Sequence, residues 1–386
     1  MDFVGFEDLK CKDKENSQKV FVIRNDKLGD FILAIPALIA LKHAFLEKGK
    51  EVYLGVVVPS YTTPIALEFP FIDEVIIEDN HLSTTLKSKS IDALIFLFSN
   101  FKNARLAFSL RKSIPYILAP KTKIYSWFYQ KSVRQNRSLC LKTEYEYNLD
   151  LIHAFCKDYD LPNAQIKKIA WKLKDKSKER TIIASKLNAN VDLLWIGVHM
   201  HSGGSSPVLP ASHFIELIAI LHEKLSCEII LICGPGEKEA TEKLLKEVPF
   251  AHLYDTSHSL VDLAKLCANL SVYIGNASGP LHVNALFDNQ SIGFYPNELT
   301  ASIARWRPFN EQFLGITPPN GSNDMGLIDI KKKKAKRLWD LSQKIFLITR
   351  KKDNRNKHYA SGLKTLKNLI GLKRFFAFSL KFLISS

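Results

Sequence analysis

Three short glycine-containing turns in the second half of this 386-residue chain have the composition of phosphate-binding loops: HSGGSS at 201–206, CGPGE at 233–237 and GNASGPLH at 275–282. Each follows an apolar run and precedes a helical pattern. Glycine lets an anion approach the backbone closely, and a helix start offers unpaired N–H groups with partial positive charge. A single turn of this kind is usually structural. Three of them at the carboxyl edge of one parallel sheet would face one crevice, which points to a ligand carrying a diphosphate. In the first half, VIRNDKLGDFILAIPAL at 22–38 puts Arg24, Lys27 and Asp30 in a polar loop between a strand and an apolar helix. A carboxylate there can take a proton from a hydroxyl group, or it can cap the helix that follows.

Other chemistries find less support. His199 and His201 would share one face of a strand, but tetrahedral zinc needs further ligands. Asp158-Tyr159-Asp160 has the DxD form of metal-dependent transferases, yet it sits at a helix end before Pro162, where aspartates form turns. Neither a GxSxG elbow nor a P-loop occurs.

The elements that must position these residues alternate regularly. KVFVIR (19–24), EVYLGVVV (51–58), DEVIIE (73–78), IDALIFLF (91–98) and PYILAP (115–120) predict buried strands. FILAIPALIALKHAFLEKG (31–49) predicts a helix ending at Gly49, and another is expected over about 143–158. The basic, aromatic stretch 121–142 interrupts the pattern. The second half restarts it with strands LLWIGVHM (193–200), CEIILICG (227–234), SVYIGN (271–276) and QSIGFYP (290–296), separated by helical segments. This alternation predicts an α/β fold of two Rossmann-like, doubly wound domains. The expected division is a mobile leader at 1–18, a first domain at 19–175, a second at 190–330 and a basic tail at 331–386, with the junction near 175–192.

Composition narrows the function class. At 46% apolar residues the chain can build a packed core. Its six cysteines form no CxxC pair and several lie in apolar runs, which suits a reducing compartment. The N-terminus lacks a signal-peptide pattern, and no uncharged apolar run reaches the roughly 18 residues of a membrane span. A cytoplasmic protein is expected. The net charge of +15 lies wholly in residues 331–386, which hold 17 Lys and Arg against two Asp. A nucleic-acid enzyme would carry such charge around its cleft, so no nucleic-acid partner is expected. In the tail, 329–348 predicts a long helix, and 361–386 interleaves Leu, Ile and Phe with Lys and Arg at near-helical spacing. That pattern suits a basic amphipathic helix on an anionic membrane surface; docking on the body is the alternative.

Across residues 19–347 the order and content of these segments resemble glycosyltransferase family 9, the ADP-heptose–lipopolysaccharide heptosyltransferases. The Gly-Asp of the first loop and SGPLH carry most of the likeness, with IGVHMHSGGSSPVLPASHFIEL, ILICGPGEKE and ARWRP supporting it. The resemblance implies a GT-B architecture with an acceptor-binding first domain and a donor-binding second domain. It implies an inverting transfer, without metal or cofactor, from a nucleotide-sugar to an anionic cell-envelope glycolipid at the inner face of a bacterial inner membrane. Residue by residue, it makes Asp30 the candidate base and Arg24 and Lys27 acceptor contacts. On the donor side it assigns Ser202, Gly203, Gly204, Ser205, Gly234, Glu237, Asn276, Ser278, Gly279, Leu281 and His282. Glu237 would meet ribose hydroxyls, with a helix-start role as the alternative. His282 would meet phosphate or sugar oxygens, with a core histidine as the alternative. Two positions depart from the pattern. Ala277 stands where an aspartate is common, and Pro207 and Val208 stand where a cation is common; Arg305 or Arg307 would be the replacement. These departures keep open a nucleotide-sugar-binding protein without catalysis, and, with less support, a sugar-nucleotide epimerase.

Overall fold

The structure, a computed structural model, describes residues 2–164, 166, 168–169, 171–204 and 206–330. The expected tail at 331–386 and the candidate Ser205 lie outside the described residues. The chain begins with a two-residue strand, β1 (Phe3–Val4), and builds a first sheet from β2 (Gln18–Ile23), β3 (Val52–Val58), β4 (Glu74–Ile77), β5 (Ala93–Phe96), β6 (Tyr116–Lys121) and β7 (Lys131–Arg134). After β8 (Lys172–Leu173), a second sheet follows from β9 (Leu194–His199), β10 (Cys227–Cys233), β11 (His252–Asp255), β12 (Val272–Asn276), β13 (Gln290–Phe294) and β14 (Phe313–Ile316).

Both sheets are parallel throughout and share one strand order: β4-β3-β2-β5-β6-β7 in the first, β11-β10-β9-β12-β13-β14 in the second. These are the two doubly wound domains the sequence predicts. Strand order reverses between β2 and β5 and again between β9 and β12, so each sheet opens a crevice at the carboxyl ends of that pair. The polar loop 24–27 leaves β2, and the three glycine turns leave β9, β10 and β12. Topology alone therefore gathers the candidate residues at two sheet edges.

Several boundaries differ from the sequence reading. The apolar helix after β2 is two helices, Leu28–Ile32 and Ile35–Glu47, with Pro36 in the first turn of the second. This stretch is apolar and long enough to cross a bilayer, yet 83% of its most apolar 18-residue window is buried inside the protein. The interrupted stretch 121–142 contributes the edge strand β7, and β11 and β14 complete the second sheet. The presumed junction holds a helix, Lys176–Leu187, with Ile183 and Ala184 buried.

The expected mobile leader is instead packed. β1 pairs antiparallel with β8, and Phe3 stacks on Trp171 with ring centroids 4.2 Å apart. Trp171 also stacks on Phe69 of the first domain at 4.5 Å and on Phe287 of the second at 5.0 Å. The leader is polar apart from a few residues, but those few complete an aromatic stack that joins both halves of the core. Truncating a buried aromatic removes transfer free energy and leaves a cavity. Phe3→Ala is therefore expected to lower unfolding stability by about 3 kcal/mol, measured by urea denaturation; an unchanged midpoint would contradict the packing.

Candidate active site

The loop after β2 is organised by one buried cation. Arg24 is 3% exposed. Its Nε donates to Asp26 at 2.8 Å, its Nη2 to Asp30 at 2.5 Å, and its Nη1 to Glu144 and Asn148, each at 3.0 Å. A guanidinium out of water must be neutralised, and three carboxylates do so here. Burial disfavours its charge, but Asp26, Asp30 and Glu144 outweigh that and hold Arg24 protonated. This corrects one expectation and removes one alternative. Arg24 is not presented to an acceptor, because it is buried and each of its three nitrogens is already engaged inside the protein. Asp30 does not cap its helix; Lys27 occupies the cap position without a side-chain bond, and Asp30 turns toward Arg24. Lys27 is exposed and stays open to an anionic ligand.

Glu144 extends the network. It opens the helix Glu144–Asp158, whose start is fixed by a reciprocal cap between Thr143 and Glu146. Its carboxylate accepts from Arg24, from Arg137 at 2.7 Å and from Arg305 at 3.2 Å. Burial alone would raise its proton affinity; Arg137, Arg24 and Arg305 reverse that and hold it below the usual range. Arg305 comes from the second domain, so this ion pair crosses between the halves. Its assignment as a cation for the donor diphosphate is thereby corrected. Arg307 is exposed and lines a cavity of about 200 Å³ with Tyr145, Phe309 and Asn310, a cavity to which the glycine turns contribute no residue.

The two halves also meet through glycine. A Cβ on Gly29 would lie 2.8 Å from Cδ2 of His282, and one on Gly279 would lie 3.1 Å from Leu28. The helix starts carrying the Gly-Asp and SGPLH segments therefore touch, and the absent side chains permit it. His282 is 4% exposed, and its Nδ1 has no hydrogen-bond partner. Burial drops its pKa to about 4, so the ring is neutral near pH 7.

On the donor side, Gly203 and Gly204 adopt left-handed backbone (φ 58° and 72°), are exposed, and face open space. Residues with side chains rarely adopt this backbone, and the open space beside the pair leaves room for a ligand to approach the main chain. Ser202 is 6% exposed, and its hydroxyl donates to the Ser206 carbonyl at 2.9 Å. Asn276 and Leu281 are fully buried. The Asn276 side chain accepts from Leu209 N–H and donates to the Met200 carbonyl, so it shapes the turn after β9 from below rather than meeting a ligand. Glu237 Oε2 accepts from Gly234 N–H at 2.7 Å and pairs with His199 at 2.9 Å. The Gly234 amide is thus spent within its own turn. Burial would raise the Glu237 pKa, but His199, the Gly234 N–H and His201 together outweigh it, and Glu237 is held below its ordinary value. Ser278 lies 3.3 Å from Nδ1 of His199, which links the turns after β9, β10 and β12. His201 pairs with Thr241, and Asp158 with Lys131 and Tyr116.

The sequence reading missed Asp26, Arg137, Glu144 and Asn148. The sequence signal near them was the helix expected over about 143–158, whose start the Thr143-x-x-Glu146 pattern marks. Asp26 has an unusual titration. Burial raises its pKa to about 7, with Asp30 and Glu144 adding to the rise and Arg24 opposing it. An unfolded aspartate ionises near 3.8. The stability that follows from its raised pKa is fully present below that value and is lost as pH rises through 7. Asp26→Asn is expected to flatten the decline in urea-unfolding stability between about pH 4 and 7; an unchanged slope would show that another group causes it.

Comparison with known proteins supplies the remaining finding. The model of glycosyltransferase family 9 (heptosyltransferase) matches residues 80–324. A Haemophilus influenzae protein, provisionally named a glycosyltransferase, is 35% identical over 318 residues, 79% of this chain and 90% of its own length. Lipooligosaccharide heptosyltransferase 2 of Campylobacter jejuni is 26% identical over 315 residues, 77% of this chain and 88% of that protein. Among solved structures, the E. coli ADP-heptose lipopolysaccharide heptosyltransferase II superposes with a TM-score of 0.69 at 18% identity, covering 86% of this chain and 100% of that one. E. coli heptosyltransferase WaaC with ADP gives 0.64 at 16% identity, covering 84% and 99%.

Proposed function

Because the chain belongs to glycosyltransferase family 9, we propose that it moves a glycosyl group, with heptose the first candidate, from a nucleoside-diphosphate donor to a lipopolysaccharide core or related glycolipid. The observation that carries this reading is the placement of Asp30. Its carboxylate is fixed by Arg24 at the carboxyl edge of the first sheet, and the helix it belongs to touches the SGPLH helix of the second. The relatives with printed heptosyltransferase names and the ADP-bound structure with the same fold support the choice of donor class.

In the proposed reaction Asp30 takes the proton of the acceptor hydroxyl. Its Oδ1 is held by Arg24, so Oδ2 is assigned to that proton. The acceptor oxygen attacks the anomeric carbon from the side opposite the diphosphate, and the bond to the diphosphate breaks with inversion. Backbone N–H groups of the 202–206 turn and the start of the helix Gly279–Ala285 take up the charge left on the leaving group. Glu237 is assigned to the ribose, and Lys27 is the cation assigned to the acceptor. Neither a metal nor a cofactor enters the scheme. The alternative is a protein that binds nucleotide-sugars without turning them over; it is favoured by Ala277 and Pro207, and by Arg305 pairing with Glu144 instead of facing the donor turns.

General-base removal usually costs a hundredfold or more in rate. Asp30→Asn is expected to cut transfer from ADP-heptose to a truncated lipopolysaccharide acceptor by about that factor, while the thermal shift produced by ADP stays. Equal turnover in the variant would defeat the base assignment, and nucleotide binding without turnover in the parent would favour the alternative.

We assign the protein to the cytoplasmic face of the inner membrane, held there by segment 361–386. Replacing Lys364, Lys367, Lys373, Arg374 and Lys381 with Gln is expected to weaken cosedimentation with phosphatidylglycerol vesicles, since each basic residue near such a surface contributes about 1 kcal/mol. Undiminished pelleting would refute the role of the segment.

A further inference from the structure

Residues 93–143 contain ten Lys and Arg and no Asp or Glu, although the charges of residues 1–330 cancel as a whole. The same segment carries large apolar side chains that face solvent. Phe101 is 57% exposed, Phe108 55%, Ile124 85% and Trp127 79%. They lie on two adjoining elements, the helix Phe101–Leu110 and the single 3₁₀ turn Ile124–Phe128. Phe101 meets Tyr125 edge-on at 6.2 Å and Phe108 meets Phe128 at 5.2 Å, which joins the two into one surface. Around it Arg105, Arg111, Lys112, Lys121 and Lys123 are exposed and form no ion pair among the described residues.

A patch that is apolar at its centre and cationic around it is costly to leave in water. A second copy of the same surface would bring like charges together. Ile124, the most exposed of the four, has no π-face on which a base could stack. Aromatic rings with lysines and arginines about them match the boundary between acyl chains and anionic headgroups. The position also fits the site. Asn103, on the helix of the patch, exchanges hydrogen bonds of 2.9 Å with Asn25 in the loop that holds Arg24 and Asp30.

We propose that the surface formed by the helix Phe101–Leu110 and the turn Ile124–Phe128 docks the body of the protein on an anionic lipid bilayer. Ile124 and Trp127 enter the headgroup boundary, and the five unpaired cations meet lipid phosphates. The cleft edge that carries Asp30 is then held beside the membrane. This contact is separate from the basic segment 361–386 and does not depend on the proposed reaction.

The test uses the full chain with vesicles of phosphatidylglycerol and phosphatidylcholine. The double variant Ile124→Asp/Trp127→Asp is expected to partition about tenfold more weakly with an unchanged melting temperature, because both side chains are exposed. Lipids brominated on the acyl chain give a reading specific to the patch. Their quenching of tryptophan fluorescence in the vesicle-bound chain is expected to fall in Trp127→Phe. Unchanged partitioning of the double variant, or equal quenching in Trp127→Phe, would overturn the proposal. So would loss of self-association in place of lipid binding, which would make the patch a contact between copies. An Asp30→Asn chain without transfer activity must bind vesicles as the parent does, which keeps this test apart from the catalytic one.

Discussion

A guanidinium removed from water sets the terms for this structure. Arg24 leaves the first strand of the first sheet and enters the interior, where its charge is tolerable only if carboxylates surround it. Asp26, Asp30 and Glu144 supply them, drawn from a loop, a helix start and a helix from the far end of the same domain. Once Glu144 is there, it can hold Arg137 and, from the other domain, Arg305. One requirement for charge balance thereby fixes the orientation of the candidate base and ties together the halves between which a donor and an acceptor would meet.

The second constraint is steric. Two helices approach at Gly29 and Gly279 closely enough that a methyl group at either would press on the opposite helix. The parallel topology places the remaining parts with no further device, because each βα turn emerges at the same edge. The left-handed glycines of the turn after β9, the Glu237–His199 pair and the SGPLH helix start all belong to the edge that faces the Asp30 loop. The aromatic stack through Phe3, Trp171, Phe69 and Phe287 supports this juxtaposition from within the shared core.

Much of the fold was legible in the sequence. Buried parallel strands such as KVFVIR and CEIILICG are continuous apolar runs, and the glycine turns between strand and helix mark where the sheet edges lie. What the sequence concealed was non-local. Arg24 and Glu144 are 120 positions apart, and no local pattern shows that a loop arginine will be buried or that a glutamate at a helix start will hold three guanidiniums. The same blindness produced the misreading of Arg305, which has the right charge for a diphosphate but a carboxylate partner within reach. The leader was misjudged because its polar composition hides the one phenylalanine that completes the aromatic stack. Asn276 and Leu281 belong to a motif that resembles a binding site, yet their side chains support the turn from inside. The motif marks the position of the site and leaves open which of its atoms would touch a ligand.

The proposed reaction requires a nucleoside diphosphate in the crevice above β9 and β12, across from Asp30. A crystal structure of the full chain with ADP tests it most directly. The diphosphate is expected within hydrogen-bonding distance of backbone N–H groups in the turn after β9 and at the Ser278–Gly279 helix start, with the ribose beside Glu237. Nucleotide bound instead in the cavity between Tyr145 and Arg307, away from those turns, would contradict it.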